Sequence, residues 1–481
     1  MEDKKDYDMP QVGGDERQLL QLRQMNSLLY YRPSQSSLFS SRQQKIQPFQ
    51  TLNVAPGGTA TTIINLSDFC YGPTSYLQMN LTLQRGTAAN AAIVGTLADV
   101  WGQNGSILNV LQSARLVHRS GQELSYIPFY LGQLLNVKRW YEYNESERLQ
   151  LDALINQNYT TTLPVSVPPL VNTYNISAMI PLSLIFGEFS QHTQCIPNWL
   201  LSGAKMEFIL NPSVNAITQA NTSYTGVSFN LLLDCVNVYD SVQRQLVSEM
   251  SDGSSGIQFV YDTNFQTSQN VVIPAGPGTS AFSIDVNQAN SIVKNVFAVV
   301  MLNNLATVAE SKNAFRNVMQ TWQSRIGSHY MPSQPMQLVP MTQATAALPN
   351  VVTSTSVFPN SQQAYQNTIV AFDAQAKQFA SYLNTNSVTI DHFVSLANDP
   401  VSATSRDTRD LGNMSVYGFL LDKAPNGLAY SGQSTNNSRL LNLNGFIVGN
   451  AALSDAQGIM IVWTTSLRCA NIVGDSLILD R

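Results

Sequence analysis

Gly474-Asp475-Ser476-Leu477 has the residue order of an esterase nucleophile block, in which a serine attacks an ester carbonyl and a distant histidine takes its proton. Its position argues against that chemistry. Such a serine sits near the start of an α/β domain, on a turn leading into a helix, with its acid and histidine downstream, whereas only five residues follow Ser476. A final strand that turns at Gly474 is the expectation instead. Asp391-His392 pairs a base with a carboxylate able to orient it, yet the chain has no Gly-x-Ser-x-Gly elbow for that pair to serve. His192 and Cys195 have half of a metal-site spacing, but zinc takes four ligands, and His118, His329 and His392 lie in unrelated segments. The glycines of Gly57-Gly58 and Gly276-Pro277-Gly278 lack the Gly-Lys-Ser/Thr that reaches phosphate and magnesium, so they read as turns. Glu142, Glu145 and Glu147 stand beside Lys138, Arg139 and Arg148, a pattern read as a solvated helix face. No catalytic residue, cofactor site or metal site is expected.

The elements that would have to position a site are β-strands. From Thr51 onward, short apolar runs alternate with turn residues: Ala60–Leu66, Tyr76–Leu83, Ala114–His118, Ile176–Ile185, Lys205–Leu210 and Phe229–Tyr239. Leu77, Met79, Leu81 and Leu83 alternate with polar residues, which buries one face of a strand. Arg119-Ser120-Gly121-Gln122 reads as a hairpin turn with Gly121 at positive φ. The best helix is Val137–Ile155, with Asn144 and Glu147 spaced as a capping box. Val296–Leu302, the longest apolar run, is far short of the roughly 18 residues a membrane-spanning helix needs and fits a buried strand.

The chain also repeats itself. Val54-Ala55-Pro56-Gly57-Gly58-Thr59 and the extended run to Leu66 are echoed by Ile273-Pro274-Ala275-Gly276-Pro277-Gly278-Thr279 and the run to Val286. In each copy an apolar strand follows, Leu77–Leu83 and then Ile292–Leu302. The offset of about 220 residues is nearly half of the 481-residue chain, which predicts two similar β domains in tandem. The expected division is an N-terminal arm over 1–47, a first domain over 48–247, a linker over 248–256 and a second domain over 257–481. In the arm, Leu19, Leu20, Leu22, Met25, Leu28 and Leu29 predict one short amphipathic helix.

Composition narrows the function. Charged residues make up 12% of the chain, about half the usual share, while 44% are hydrophobic. A surface rich in Asn, Gln, Ser and Thr suits contact with other protein more than life as a lone monomer. The net charge of -5 argues against a protein that grips phosphate backbones, so no specific nucleic-acid binding is expected. Four cysteines without a Cys-x-x-Cys pair fit a reducing compartment, and Met1-Glu2-Asp3-Lys4-Lys5-Asp6 lacks the apolar region of a secretory signal, so synthesis in the cytosol is expected.

Ile180-Pro181-Leu182-Ser183-Leu184-Ile185-Phe186-Gly187 is followed by Cys195-Ile196-Pro197-Asn198-Trp199-Leu200-Leu201-Ser202-Gly203 and then Lys205–Leu210. The reading is a strand ending at Pro181, a polar loop, a helical turn opened by Pro197 at its first position and closed at Gly203, and a returning strand. This succession resembles the end of the first jelly roll in double-jelly-roll major capsid proteins of the adenovirus-hexon and giant-virus lineage. It is most similar to those of polinton-like viruses and virophage relatives. Where giant-virus members carry an aromatic-rich strand end, this chain has Ser183-Leu184-Ile185-Phe186.

The resemblance implies an all-β chain of two tandem eight-stranded jelly rolls with short loop helices. It further implies a non-enzymatic virion protein that forms homotrimeric, pseudo-hexagonal capsomers. Its partners would be neighbouring capsomers, penton and minor capsid proteins and, through the arm, an internal membrane or inner components. Leu22, Leu28, Pro181, Pro197, Trp199 and Gly203 are the assembly and core candidates, Trp199 as an anchor of the first core. Gly86–Ser106, Gln133–Thr162 and Thr307–Gln366 are the expected tower or contact loops. The competing reading is a viral fibre or adhesin built of β-sandwich domains.

Overall fold

The computed structural model describes residues 39–85, 93–96, 106–156, 162–166, 172–192, 194–211, 222–251, 257–274, 278–286, 290, 292–302, 319–337, 367–368, 371, 416–421, 432–435, 440–448, 457–473 and 476–480. In the first half the strands are β1 (Phe39–Pro48), β2 (Thr59–Ile63), β3 (Phe69–Cys70), β4 (Tyr76–Arg85), β5 (Ile93–Thr96), β6 (Leu111–Val117), β7 (Glu123–Ile127), β8 (Thr162–Ser166), β9 (Asn172–Pro181), β10 (Lys205–Leu210) and β11 (Thr222–Val238). Between them stand helices α1 (Leu131–Tyr141), α2 (Glu145–Leu154), α3 (Leu182–Ile185) and α4 (Asn198–Leu201), and α5 (Asp240–Ser251) follows β11. The second half contributes β12 (Ile257–Val272), β13 (Thr279–Val286), β14 (Ile292–Leu302), β15 (Met319–Ile326), β16 (His329–Gln337), β17 (Tyr417–Leu420), β18 (Leu441–Val448), β19 (Gln457–Val473) and β20 (Ser476–Asp480).

Four antiparallel sheets carry the fold. Sheet I runs β1-β11-β4-β9 and sheet II runs β2-β10-β6-β7; sheet III runs β12-β19-β14-β17 and sheet IV runs β13-β18-β15-β16. Position for position the two orders match, so the fold repeats in topology as well as in sequence. The Pro/Gly segments that echo each other lead into β2 and β13, and Leu77–Leu83 and Ile292–Leu302 lie in the equivalent strands β4 and β14. Each pair of sheets is a jelly-roll sandwich in which period-2 alternation sends Leu77, Met79, Leu81 and Leu83 inward and Gln78, Asn80 and Thr82 outward.

Several elements differ from expectation. Residues 39–47, read as arm, belong to β1, which pairs along β11 from Phe39↔Val238 to Pro48↔Asn230. Leu22 and Leu28 and the helix expected around them lie outside the described residues. Thr307–Gln366, read as one loop, contains β15 and β16, whose mostly polar sequence hides strands that Trp322 anchors in the core. Helix α5 runs to Ser251, so the expected linker begins on its last turn.

The helix expected over Val137–Ile155 is two helices. Asn144 breaks it: its side chain accepts from the Glu147 backbone N–H at 2.8 Å, and the Glu147 carboxylate accepts from the Asn144 N–H at 3.0 Å. A capping box starts a helix, so the chain leaves α1 before it enters α2. Of the charges read as a solvated face, Glu142 and Glu147 are exposed, but Lys138, Arg139 and Arg148 are buried. Arg139 Nε donates to Asp152 Oδ1 at 2.5 Å and Arg148 Nη1 to Asp152 Oδ2 at 3.2 Å, and the Arg148 guanidinium lies 4.0 Å from the centre of the Trp140 ring. Folding α2 back on α1 gives the two buried guanidiniums an aromatic face and a carboxylate.

Candidate functional site: the seam between the two jelly rolls

The site that geometry singles out is where the two halves meet. β7 is the edge of sheet II and β12 the edge of sheet III, and they lie side by side with the turn Gly187–Phe189 between them. Gly187 is there because nothing larger fits, since a Cβ on it would come 1.5 Å from the carbonyl oxygen of Asp262. From the second half, Arg468 Nη1 donates to the carbonyls of Leu124 at 2.8 Å and Glu123 at 3.2 Å, and the Tyr261 hydroxyl donates to Leu124 at 3.2 Å. These bonds occupy carbonyls that an edge strand otherwise leaves open.

Behind them lies a buried polar chain. The Ser125 hydroxyl donates to Glu188 Oε1 at 2.7 Å and stands 3.1 Å from the Thr263 hydroxyl. Ser125 spends its one proton on the carboxyl, so Thr263 is the donor to Ser125. Glu188 is fully buried and its Oε2 has no hydrogen-bond partner. Burial, the largest influence, pushes its carboxyl up to about 7, against the Ser125 hydrogen bond and the charge of Arg468.

Apolar packing crosses the same boundary. Val296, Ala298, Val300, Met460 and Val462 face sheet IV in the second core. The alternate residues Phe297, Val299, Met301, Ile461 and Trp463 join the first-half cluster that holds Trp140, Tyr141 and Phe189. The outer face of sheet III is therefore apolar and covered. Its counterpart on sheet I is polar: Asn230 Nδ2 donates to Gln78 Oε1 at 3.0 Å, Thr82 Oγ1 donates to Asn175 Oδ1 at 3.2 Å, and Ile46 is 63% exposed.

The residues singled out from sequence are dispersed. Pro181 ends β9 and is buried. Pro197, expected at the first position of the helical turn, is its N-cap instead, because its backbone is extended at ψ 143°. Gly203 has φ +78° and Gly121 φ +84°, as tight turns require. Trp199 is half-buried, with its ring edge on Phe69 at 5.7 Å and its carbonyl accepting from the His118 ring at 3.1 Å.

Cys195 is buried and His192 exposed, and no group of three or more His, Cys, Asp or Glu able to hold a metal occurs among the described residues. Ser476 opens β20, which pairs with β19 from Val473↔Ser476, while Asp391 and His392 lie outside the described residues. Cys70 and Cys235, far apart in sequence, face each other as free thiols across β3 and β11. Glu188, Arg468, Ser125 and Thr263 carry no sequence signal, since no motif marks a seam. No described helix is long and apolar enough to cross a membrane.

No family model matches the chain, and no curated protein matches its sequence. Solved structures do. A PBCV-1 virus capsid structure superposes with a TM-score of 0.55 at 10% identity, covering 94% of this chain and 98% of its own. The mavirus major capsid protein gives 0.53 at 11% identity, covering 100% and 96%, and the Faustovirus major capsid protein gives 0.54 at 7%, covering 96% and 100%. Mostly β, with two jelly rolls packed across a polar and apolar seam, the chain has a double-jelly-roll fold similar to that of these viral capsid proteins, at low sequence identity.

Proposed function

We propose that the chain is the major capsid protein of an icosahedral double-stranded DNA virus, a structural subunit without catalysis. Made in the host cytosol, it ends in the virion, and three copies form a pseudo-hexagonal capsomer. The observation that carries this reading is the seam. The first roll packs against the second head to tail, through unlike surfaces on two units of the same topology. A heterologous contact of this kind leaves one unlike surface free at each end and closes into a ring when the rotation allows. Among the described residues these surfaces are the outer face of sheet I with its edge β1, and the far side of the second roll. If each step turns by one-sixth of a circle, six rolls close, and three chains supply them.

The polar face of sheet I suits that role. An interface rich in Asn, Gln, Ser and Thr forms hydrogen bonds without burying unpaired charge. The domain limits proposed are those read from sequence, with β1 added to the first roll. In this reading residues 1–38 form an inner arm toward neighbouring capsomers, penton and minor capsid proteins or a membrane, with Leu22 and Leu28 as its contacts. Light scattering after size exclusion tests the proposal. The expected particle contains three 52.8 kDa chains and forms hexagonal arrays by electron microscopy. A monomer at all concentrations overturns it and favours the fibre or adhesin reading.

A further inference from the structure

Glu188 is the one fully buried carboxyl at the seam among the described residues, and nothing in shell assembly calls for an acid there. Its surroundings come from four elements. β7 gives Ser125 and the Glu123 backbone; β12 gives Tyr261, Asp262 and Thr263; β19 gives Arg468 and Cys469; β14 gives Lys294, which holds Asp262 at 2.6 Å. Glu142, which caps the end of α1, feels the charges of both Asp262 and Lys138. Arg468 is the cation whose charge reaches Glu188, yet its Nη1 is committed to the carbonyls of Glu123 and Leu124, while its Nε and Glu188 Oε2 are both without partners.

That arrangement has two states. A neutral Glu188 accepts from Ser125, needs no cation, and leaves Arg468 clasping β7. An ionised Glu188 is a buried anion with an unpartnered Oε2, and the cation whose charge acts on it is Arg468, whose unpartnered Nε it would draw at the expense of the bonds to the β7 carbonyls. We propose that Glu188 is a proton-operated latch on the joint between the two jelly rolls, closed when the carboxyl is neutral and loosened when it ionises.

The sign follows from linkage. A carboxyl lifted from 4.5 to about 7 binds its proton more tightly folded than unfolded, so stability falls as pH rises through that window and the full cost is present above it. Acid therefore stiffens the joint and alkali slackens it. His118 titrates with the opposite sign, because burial lowers its pKa, but it lies at the β6–α4 contact and not at the seam.

Hydrogen exchange on the full chain tests the latch, with rates corrected for intrinsic pH dependence and residues 441–448 as the reference. In the wild type, protection of 123–127 and 257–263 relative to that reference should fall at least ~10-fold between about pH 5 and pH 8.5. Glu188→Gln, which keeps a neutral acceptor for Ser125, should hold it constant. A flat wild-type profile, or the same fall in Glu188→Gln, overturns the proposal. Should Glu188→Gln fail to fold, Ser125→Ala serves: it removes the bond that favours the ionised form, so the fall should move to higher pH, and an unmoved midpoint overturns the latch. The readout is internal to one chain, so a failed capsomer assembly leaves it intact.

Discussion

Asp152 accepts from two buried guanidiniums, and removing it should cost more than removing an exposed charge. Asp152→Ala takes this shared carboxylate away from Arg139 and Arg148, both buried beside Trp140, a loss on the order of 3–5 kcal/mol in denaturant melts. The tryptophans separate by burial. Trp463 is fully buried at the crossing of the two halves, so Trp463→Ala should cost about 3–5 kcal/mol, whereas half-buried Trp199→Ala should cost clearly less. Thiol labelling ranks likewise. Burial pushes Cys70 up to about 12 and Cys195 up to about 11, so native alkylation should reach the partly exposed Cys469 well before either. Equal rates for all four would show that the core around Cys70 opens freely.

Capping chemistry decides the helical hairpin between β7 and β8. Asn144→Ala should loosen the start of α2 at a cost of about 1 kcal/mol, seen as faster amide exchange over 145–150 and little change elsewhere. This element also shows where sequence reading succeeds and fails. Asn144 and Glu147 form a signal complete within four residues, so the capping box was legible, but its meaning as a break was not, because the flanking residues read as one amphipathic run. Lys205–Leu210, which alternates, and Ile292–Leu302, an apolar run buried on both faces, were legible to the residue. β15 and β16 were not: Met319-Gln320-Thr321-Trp322-Gln323 has apolar residues too sparse to show a period, and only tertiary packing buries them. Burial of Arg139 and Arg148 was invisible for the same reason, since the carboxylate that Arg139 bonds, Asp152, sits on α2 and the ring that covers Arg148, Trp140, sits on α1. Gly187 stood in the segment that carried the family resemblance, yet its function is a close approach to a strand some seventy-five residues on, which no local pattern encodes.

At the scale of the whole molecule, the boundary of the arm has a sharp consequence. Deleting residues 1–38 should leave a soluble trimer by light scattering, while deletion to 47 also removes most of β1, bares the edge of β11 and should shift the product toward aggregates. The asymmetry of the seam matters earlier still, during synthesis. The first roll leaves the ribosome first and can close its own core, and its helical hairpin is in place when Phe297, Val299, Ile461 and Trp463 follow. The apolar back of the second roll thus finds its cover waiting. A circular permutant that begins with the second roll and ends with the first has every native contact available, but exposes that back for the whole time the first roll takes to be made. Its soluble yield should fall while the few molecules that mature melt like the natural chain, so the order of the two halves protects the chain before any neighbour is present.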